Sequence, residues 1–325
     1  MSDSILVTGA AGFIGFSVAK KLLEAGESVF GIDNLNDYYD VTLKENRLEI
    51  LKSYDGFDFQ KIDISDIGGM KKMWVEKGPF KRVLHLAAQA GVRYSLTNPH
   101  AYIKSNSMGH TVVMDLCRHT GHFEHMVYAS SSSVYGANTK LPFSVKDPVT
   151  QPMSMYAATK RGVELLSESY ARLYSMAQTG LRFFTVYGPW GRPDMALFIF
   201  TKAILQGEPL PVFNGGEMKR DFTYIDDIVD GIIAALNNRP TEEIPHRLFN
   251  LGNTRSEELM DFIKIIESTT GKKAEIDFHG MQLGDVPKTY ADITESRELL
   301  DYNPKTTIEE GIPKFIQWYQ EYYRI

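Results

Sequence analysis

The feature that most constrains the fold is a glycine-rich segment near the start of the chain, between a strand pattern and a helical pattern. Ile5–Thr8 has the apolar character of a buried strand, and Gly9, Gly12 and Gly15 follow it. The helical pattern then runs from Phe13 to Ala25. Such a turn lets the backbone approach a pyrophosphate, which the helix N-terminus attracts. The spacing is GxxGxxG rather than GxGxxG, so the segment alone is also compatible with a tight strand-to-helix connection.

The first half of the chain continues this alternation of strands and helices. Further strands are predicted at 28–32, 57–62, 82–86, 125–129 and 181–186, and long helices at 101–118 and 154–178. Alternation of this kind predicts an α/β fold of the Rossmann type, a doubly wound parallel sheet with helices on both faces.

The character of the sequence changes after Tyr187. The segments 188–193 and 207–216 are rich in Gly and Pro, and shorter elements follow. We therefore predict a cofactor-binding domain over residues 1–187 and a smaller α/β substrate-binding region over residues 188–325. The chain is expected to cross back to the main sheet within the second region.

Composition excludes several function classes. The chain has 325 residues and a net charge of −6, without a lysine-rich block, so no nucleic-acid partner is expected. No apolar run reaches the length of a membrane span, and no paired histidines suggest a metal site. The single Cys117 excludes an intramolecular disulfide, and the N-terminus lacks the pattern of a signal peptide. We expect a cytoplasmic protein.

A carboxylate closes the second predicted strand. Asp33 can accept hydrogen bonds from the adenosine ribose hydroxyls and would repel a 2′-phosphate, which favours NAD over NADP. Taken alone, Asp33 is equally a turn residue before Asn34, and Asp63 is nearly as well explained as a helix cap. The predicted cofactor contacts are Gly9, Gly12, Phe13, Ile14, Gly15, Asp33, Asn34, Asp63, Ile64, Leu86, Ala87, Ala88, Gln89, Asn106, Tyr156 and Lys160.

Tyr156 and Lys160 lie at i and i+4, on one face of a predicted helix. A nearby ammonium favours the phenolate, so the tyrosine can serve as a base near neutral pH. The motif is weak by itself. A run of four serines, residues 130–133, stands 23 to 26 residues upstream at a predicted strand end. Its hydroxyls can bind a reacting oxygen, although the run is also compatible with a polar loop.

These motifs, in this order, resemble the extended short-chain dehydrogenase/reductase family over essentially the whole chain. Within it the chain is similar to the nucleotide-sugar 4-epimerases, and most of all to UDP-glucuronate 4-epimerases through segments 33–39 and 182–194. The resemblance implies that Tyr156 takes the proton of the sugar 4-hydroxyl while hydride leaves C4 for NAD and later returns. Lys160 would lower the pKa of Tyr156 and hold the nicotinamide ribose, and Ser131 would bind O4.

Neighbouring positions argue against related chemistries. Nucleotide-sugar dehydratases of this family carry an Asp-Glu pair where Ser132 and Ser133 stand, and UDP-glucuronate decarboxylases carry a glutamate in this stretch. Hydroxyls do not easily replace carboxylates in acid–base catalysis. A 4-epimerase of neutral or N-acetylated UDP-hexoses stays open as the main alternative. A non-catalytic NAD sensor is disfavoured by the intact Tyr156, Lys160 and Ser131.

An acidic sugar raises a chemical problem, because a 4-keto uronate is a β-keto acid that readily loses CO2. Arg192 offers a bidentate fork for the carboxylate, and Thr185, Ser132 and Ser133 offer hydroxyls. Arg192 is alternatively a phosphate-binding or surface arginine.

The second half of the chain is expected to hold the nucleotide. The resemblance implies that Arg220 binds the diphosphate and Asp285 the uridine ribose, while Gln282 stands where related epimerases carry an arginine. Phe213 is either a residue that stacks near uracil or a residue of the core. Arg93 is a weaker candidate for substrate contact. The family also implies a homodimer formed through the helices at 101–118 and 154–178, with a UDP-sugar as substrate.

Overall fold

The structure is a computed structural model that describes residues 4–282 and 284–325. Its strands are β1 Ile5–Thr8, β2 Val29–Asp33, β3 Phe57–Lys61, β4 Arg82–His85, β5 His125–Ser131, β6 Gln178–Phe183, β7 Thr185–Tyr187, β8 Pro209–Phe213, β9 Lys219–Arg220, β10 Phe222–Tyr224, β11 His246–Leu251, β12 Glu257–Glu258 and β13 Glu275–His279. Its α-helices are α1 Phe13–Glu24, α2 Val41–Lys52, α3 Ile67–Lys77, α4 Tyr94–Thr97, α5 Pro99–Tyr102, α6 Gly109–Arg118, α7 Met155–Tyr174, α8 Ala196–Gln206, α9 Ile225–Asn237, α10 Leu259–Thr270, α11 Thr294–Leu300 and α12 Ile308–Tyr323.

Seven parallel strands form the central sheet in the order β11-β6-β5-β4-β1-β2-β3. Successive residues of β1 point to opposite faces: Ile5 and Val7 pack into one apolar cluster and Leu6 into another. Helices α1, α2 and α9 contribute to the first cluster, and α3, α6 and α7 contribute to the second. Because both faces are covered, β1 and β6 are buried at every residue. The predicted Rossmann-type α/β fold is confirmed.

Several predicted boundaries are wrong. The helix predicted at 154–178 ends at Tyr174, where Ser175 takes a left-handed conformation, and Gln178 already begins β6. The strand predicted at 181–186 is two strands, since β6 belongs to the central sheet whereas β7 pairs with β10 in a separate small sheet. The helix predicted at 101–118 is interrupted by a π-helical turn at Ile103–Met108.

The remaining strands form three two-stranded sheets, β7–β10, β9–β12 and β8–β13, which together with α8, α10 and α12 make up a smaller region. The seventh strand of the central sheet, β11, comes from this second half of the chain. Helix α9 also packs against the central sheet. The chain therefore crosses back to the central sheet within its second half. In the described ranges, no helix has the length and apolar character needed to cross a membrane.

Candidate active site

A cavity of about 650 Å³ lies between the carboxyl ends of the central strands and the smaller region. Binding at this edge is the general rule for open parallel α/β sheets. Of the predicted site residues, all but Asn106 and Gln282 line the cavity. The fold thus gathers residues that lie as far apart in the sequence as Gly9 and Asp285.

The glycine-rich turn is closely packed at the floor of this cavity. Gly9 has a φ of +75°, and a Cβ placed on it would lie 2.8 Å from the backbone nitrogen of Ala87. A Cβ on Gly15 would lie 2.0 Å from the carbonyl oxygen of Gly9. Phe13 and Ile14 begin α1 at the cavity wall. Because the first N–H groups of a helix lack partners within it, this turn can cradle phosphate oxygens.

Asp33 ends β2 beside this turn. Its carboxylate accepts hydrogen bonds from the backbone N–H of Ala11 at 3.2 Å and of Leu35 at 2.8 Å. Burial raises the pKa of Asp33, and these hydrogen bonds and the charge of Lys44 oppose that rise. Lys44 is buried and donates to the carbonyl and side-chain oxygens of Asn36. The sequence reasoning missed Lys44, since a lysine in a helical pattern normally faces solvent.

Asp63 and Asn106 have roles within the protein itself. The Asp63 carboxylate accepts from the backbone N–H and the hydroxyl of Ser65 and pairs with Lys104 at 3.2 Å, while it still lines the cavity. Asn106 lies behind the wall, where its amide exchanges two hydrogen bonds with the backbone of Gln89. This side chain therefore fixes the loop after β4, and the predicted cofactor contact of Asn106 stays a prediction.

Tyr156 and Lys160 stand together in the first turns of α7. The helix is capped by Ser154, whose hydroxyl accepts from the N–H of Ala157. Lys160 is buried and donates its Nζ to the carbonyl of Ala129 at 2.7 Å. Burial lowers the pKa of Lys160 to about 8. The capped helix therefore fixes the tyrosine and the ammonium on one wall of the cavity.

Burial raises the pKa of Tyr156, whereas a hydrogen bond with Ser131 and the charge of Arg192 lower it. Arg192 is thus a cation that acts on the phenol in this structure, and the same role for Lys160, which the resemblance implied, stays a prediction. Two effects on the pKa of the phenol therefore oppose each other: burial favours the neutral form, and the nearby groups favour the phenolate.

The serine run is part of the fold and not a free polar loop. Strand β5 continues to Ser131, and a 3₁₀ turn follows over Ser132–Tyr135. The hydroxyl of Ser131 accepts from the N–H of Ser133 at 3.1 Å, and Ser131 and Ser133 also share a hydroxyl hydrogen bond. The hydroxyls of Ser131–Ser133 are therefore held at the edge of the cavity beside Tyr156.

Arg192 is already engaged by a carboxylate of the protein. Its Nε donates to Oδ1 of Asp194 at 3.0 Å and its Nη2 donates to Oδ2. The hydroxyl of Tyr38 donates to the same Oδ2 at 2.9 Å. Tyr38, Arg192 and Asp194 all line the cavity together with Thr185. Tyr38 and Asp194 lie in the two segments that carried the family resemblance, but the sequence assigned them no role.

The far end of the cavity carries the residues predicted to hold a nucleotide. Arg93 pairs with Asp285 at 3.3 Å, and its guanidinium lies 4.5 Å from the centre of the Phe213 ring. Arg220 donates to the backbone carbonyls of Lys219 and Pro287, and burial lowers its pKa.

Phe213 faces the cavity here and is only partly buried, so it is not solely a core residue. Gln282 does not line the cavity, and its carbonyl accepts from the N–H of Asp285. Among residues 4–282 and 284–325, no group of three or more His, Cys, Asp or Glu is arranged to hold a metal ion.

Comparison with known proteins defines the class to which this fold and site belong. The sequence model of the NAD dependent epimerase/dehydratase family matches residues 5–252, and the chain belongs to that family. It is 45% identical to UDP-glucuronate 4-epimerase 2 of Arabidopsis thaliana, over 99% of this chain and 76% of that protein. It is 43% identical to the probable UDP-glucuronate 4-epimerase of Rhizobium meliloti, over 98% and 97%.

A solved structure gives the same picture. The UDP-glucuronic acid 4-epimerase of Bacillus cereus, in complex with UDP-glucuronic acid and NAD, superposes with a TM-score of 0.91. The two proteins are 33% identical, and the match covers 98% of this chain and all of that one. The likeness extends across both the central sheet and the smaller region.

Proposed function

We propose that this protein is a UDP-glucuronate 4-epimerase, which interconverts UDP-glucuronate and UDP-galacturonate through a transient 4-keto sugar and retains its NAD. One observation carries the proposal: Tyr156, Lys160 and Ser131 meet at a cavity whose wall also holds the guanidinium fork of Arg192. The names of the similar proteins agree with this arrangement.

The residues fit NAD as the cofactor. The close-packed turn at Gly9 and Gly15 would hold the pyrophosphate at the start of α1, and the carboxylate of Asp33 would accept from the hydroxyls of the adenosine ribose. Tyr156 and Lys160 would hold the nicotinamide ribose. When bound, NAD supplies the hydride acceptor and donor for C4 of the sugar.

The chain supplies the acid–base chemistry. Tyr156 removes the proton of the sugar 4-hydroxyl and returns it after the sugar has turned, while Ser131 binds O4. The positive charges of Arg192 and Lys160 favour the phenolate. The same phenol serves in both directions. The hydride taken from C4 is given back to C4, so the reaction needs no outside oxidant.

The carboxylate of the substrate is held away from decarboxylation. Arg192 grips it with the fork that Asp194 now occupies, and Thr185, Ser132 and Ser133 donate from their hydroxyls. At the other end, Arg220 and Arg93 face the diphosphate, Asp285 accepts from the uridine ribose, and Phe213 stacks near uracil. Gln282 acts through its carbonyl, which accepts from the N–H of Asp285.

We further propose a homodimer in the cytoplasm. Exposed apolar side chains stand on the two helical segments at 99–118 and 155–174, which is the surface expected to pair: Ile103, Met108, Leu165, Leu173 and Tyr174. Light scattering after size exclusion gives the mass directly.

The division of the chain into residues 1–187 and 188–325 stays a prediction, with β11 as the strand that returns to the central sheet.

The deciding experiment is to incubate the purified protein with UDP-glucuronate and NAD and to follow the products by NMR. We expect UDP-galacturonate to accumulate without added reductant or oxidant. A UDP-pentose would instead indicate a decarboxylase. Turnover of UDP-glucose or UDP-N-acetylglucosamine, with none of UDP-glucuronate, would indicate a neutral-sugar epimerase. No turnover of any UDP-sugar would leave an NAD sensor.

A further inference from the structure

Glu164 is a buried carboxylate that the proposed chemistry does not use. It lies four residues beyond Lys160 on α7 and is 1% exposed. Its Oε1 accepts from the hydroxyl of Ser130 at 2.6 Å and from Nε of Arg182 at 2.8 Å. Its Oε2 accepts from Nη2 of Arg182 and from Nη1 of Arg161, each at 2.9 Å. Four donors therefore converge on a single buried anion.

These hydrogen bonds join the two elements that carry the predicted catalytic groups. Ser130 precedes Ser131 on β5, and the carbonyl of Ala129 on the same strand accepts from Lys160. Glu164 and Lys160 lie one helical turn apart on α7 and are both anchored to this strand end. The carboxylate thereby fixes the distance between the serine run and the Tyr156 face of the helix.

Glu164 is also an anion whose charge acts on Lys160. From β4 and α6, His85 and His110 face the ammonium, and burial lowers the pKa of His85 to about 3 and that of His110 well below its usual value. Both rings are therefore neutral near pH 7. Burial alone would raise the pKa of Glu164, but hydrogen bonds from Arg182, Ser130 and Arg161 hold it below its usual value.

The charge of Glu164 raises the pKa of Lys160 against the effect of burial. Within residues 4–282 and 284–325, the buried Lys160 ammonium donates to one oxygen, the carbonyl of Ala129. A buried ammonium with a single neutral acceptor is costly unless an anion lies near it.

We propose that Glu164 is a positioning residue that keeps Lys160 protonated and holds the Ser130–Ser131 strand end against the helix of Tyr156. This inference rests on the proposed function. Glu164 acts through Lys160 and Ser131 and touches neither sugar nor cofactor. Its loss is therefore expected to change the pH at which activity falls, and not only the maximal rate.

The test is the pH profile of kcat for UDP-glucuronate epimerisation by the NAD-saturated holoenzyme. Activity requires the Lys160 ammonium, so deprotonation of this group sets the high-pH limb. Glu164→Gln keeps the shape but removes the charge, and we expect the limb to move to lower pH by about one unit or more. A lower kcat with an unmoved limb would mean that Glu164 is only structural, and would overturn the proposal.

Two matched variants separate charge from hydrogen bonding. Arg161→Gln and Ser130→Ala each remove one donor but leave the carboxylate charged, so both are expected to keep the limb at the wild-type pH. A limb that moved equally in these variants would contradict a role for the charge. Ser130→Ala is also expected to lower kcat, because it loosens the strand end that carries Ser131.

Glu164→Gln leaves Arg182 as an uncompensated buried charge, which is strongly destabilising. If that variant does not fold, the double variant Glu164→Gln/Arg182→Gln removes both charges and is expected to move the limb in the same direction by less, because the loss of the guanidinium offsets part of the loss of the carboxylate. An unmoved limb in an active double variant overturns the inference alone. Absence of epimerisation by the wild-type holoenzyme would overturn the proposed function instead.

Discussion

Arg192 and Asp194 form a two-pronged ion pair in the wall of the cavity, with Nε of the arginine 3.0 Å from Oδ1 of the aspartate. The hydroxyl of Tyr38 completes the arrangement from a loop 156 residues away. A carboxylate of the protein thus occupies the fork that we propose for the carboxylate of the sugar. Binding of an acidic sugar would exchange one carboxylate for another at the same guanidinium.

Replacing Arg192 tests the proposed grip on the sugar carboxylate. Arg192→Leu is expected to release CO2 from the 4-keto uronate or to abolish turnover, because the carboxylate is no longer held out of the geometry for loss. The measurement is the ratio of UDP-pentose to UDP-galacturonate by NMR. Kinetics on UDP-glucuronate that match the wild type would show that Arg192 does not touch the carboxylate.

Asp194→Asn tests the exchange itself. The asparagine amide cannot offer two anionic acceptors, so the guanidinium of Arg192 is free for the substrate. We expect UDP-glucuronate to bind several-fold more tightly, and the affinity for UDP-glucose to stay unchanged. Calorimetric Kd values check this. Tyr38→Phe is the matched control, since it removes one hydrogen bond and leaves the ion pair. Weaker binding of UDP-glucuronate by Asp194→Asn would mean that the aspartate only positions Arg192.

Tyr156→Phe removes the phenolic oxygen and little else. We expect kcat to fall by about 10²–10⁴-fold, the usual contribution of a positioned acid–base group, with the affinity for the UDP-sugar nearly retained. Single-turnover kinetics and equilibrium binding of UDP-glucuronate separate the two effects. A variant with wild-type kcat would remove Tyr156 from the chemistry.

Gly15→Ala tests the phosphate-binding turn. The added Cβ would lie 2.0 Å from the carbonyl oxygen of Gly9, so the turn must shift at a cost of about 1–3 kcal/mol. We expect a lower melting temperature and loss of retained NAD, measured as nucleotide released on denaturation. Gly26→Ala is a useful comparison, since nothing lies near its Cβ, although its φ of +83° also strains an alanine. Full retention of NAD by Gly15→Ala would contradict the assignment of this turn.

A buried histidine predicts acid sensitivity. His125 bonds the carbonyl of Leu236 through Nδ1 and the hydroxyl of Thr179 through Nε2, and burial lowers its pKa to about 4. In the unfolded chain the same histidine takes up a proton below about pH 6.5. The contribution of neutral His125 to the free energy of unfolding is therefore present above pH 6.5 and is lost as the pH falls toward 4.

Between pH 6.5 and 5 the loss from this one residue is about 2 kcal/mol. The measurement is urea unfolding of the wild type and of His125→Gln across this range. The free energy of unfolding of the variant is expected to fall less steeply with decreasing pH than that of the wild type. His119→Gln, at an exposed position, is the control and should keep the wild-type slope. Equal slopes in wild type and His125→Gln would contradict the assignment.

Local patterns account for what could be predicted. The glycine turn follows from a strand, three glycines and a helix in direct succession, and Tyr156 and Lys160 share a face because they are four residues apart. The limits of local patterns appear at residues 178–187. The residues there give no indication that Phe183 ends a strand of the central sheet and Thr185 begins a strand of another sheet. The division depends on which strands pair with them, β11 with the first and β10 with the second.

The sequence by itself determined the Rossmann-type fold, the edge of the sheet where the cofactor is expected, and the Tyr156–Lys160 pair. Only the tertiary structure decided that Asp194 occupies the fork of Arg192, that Asn106 stands behind the wall, and that Glu164 bonds Ser130. The physical reason is that helix and turn preferences act over a few residues, whereas a buried charge takes its partner from whichever segments the fold brings together.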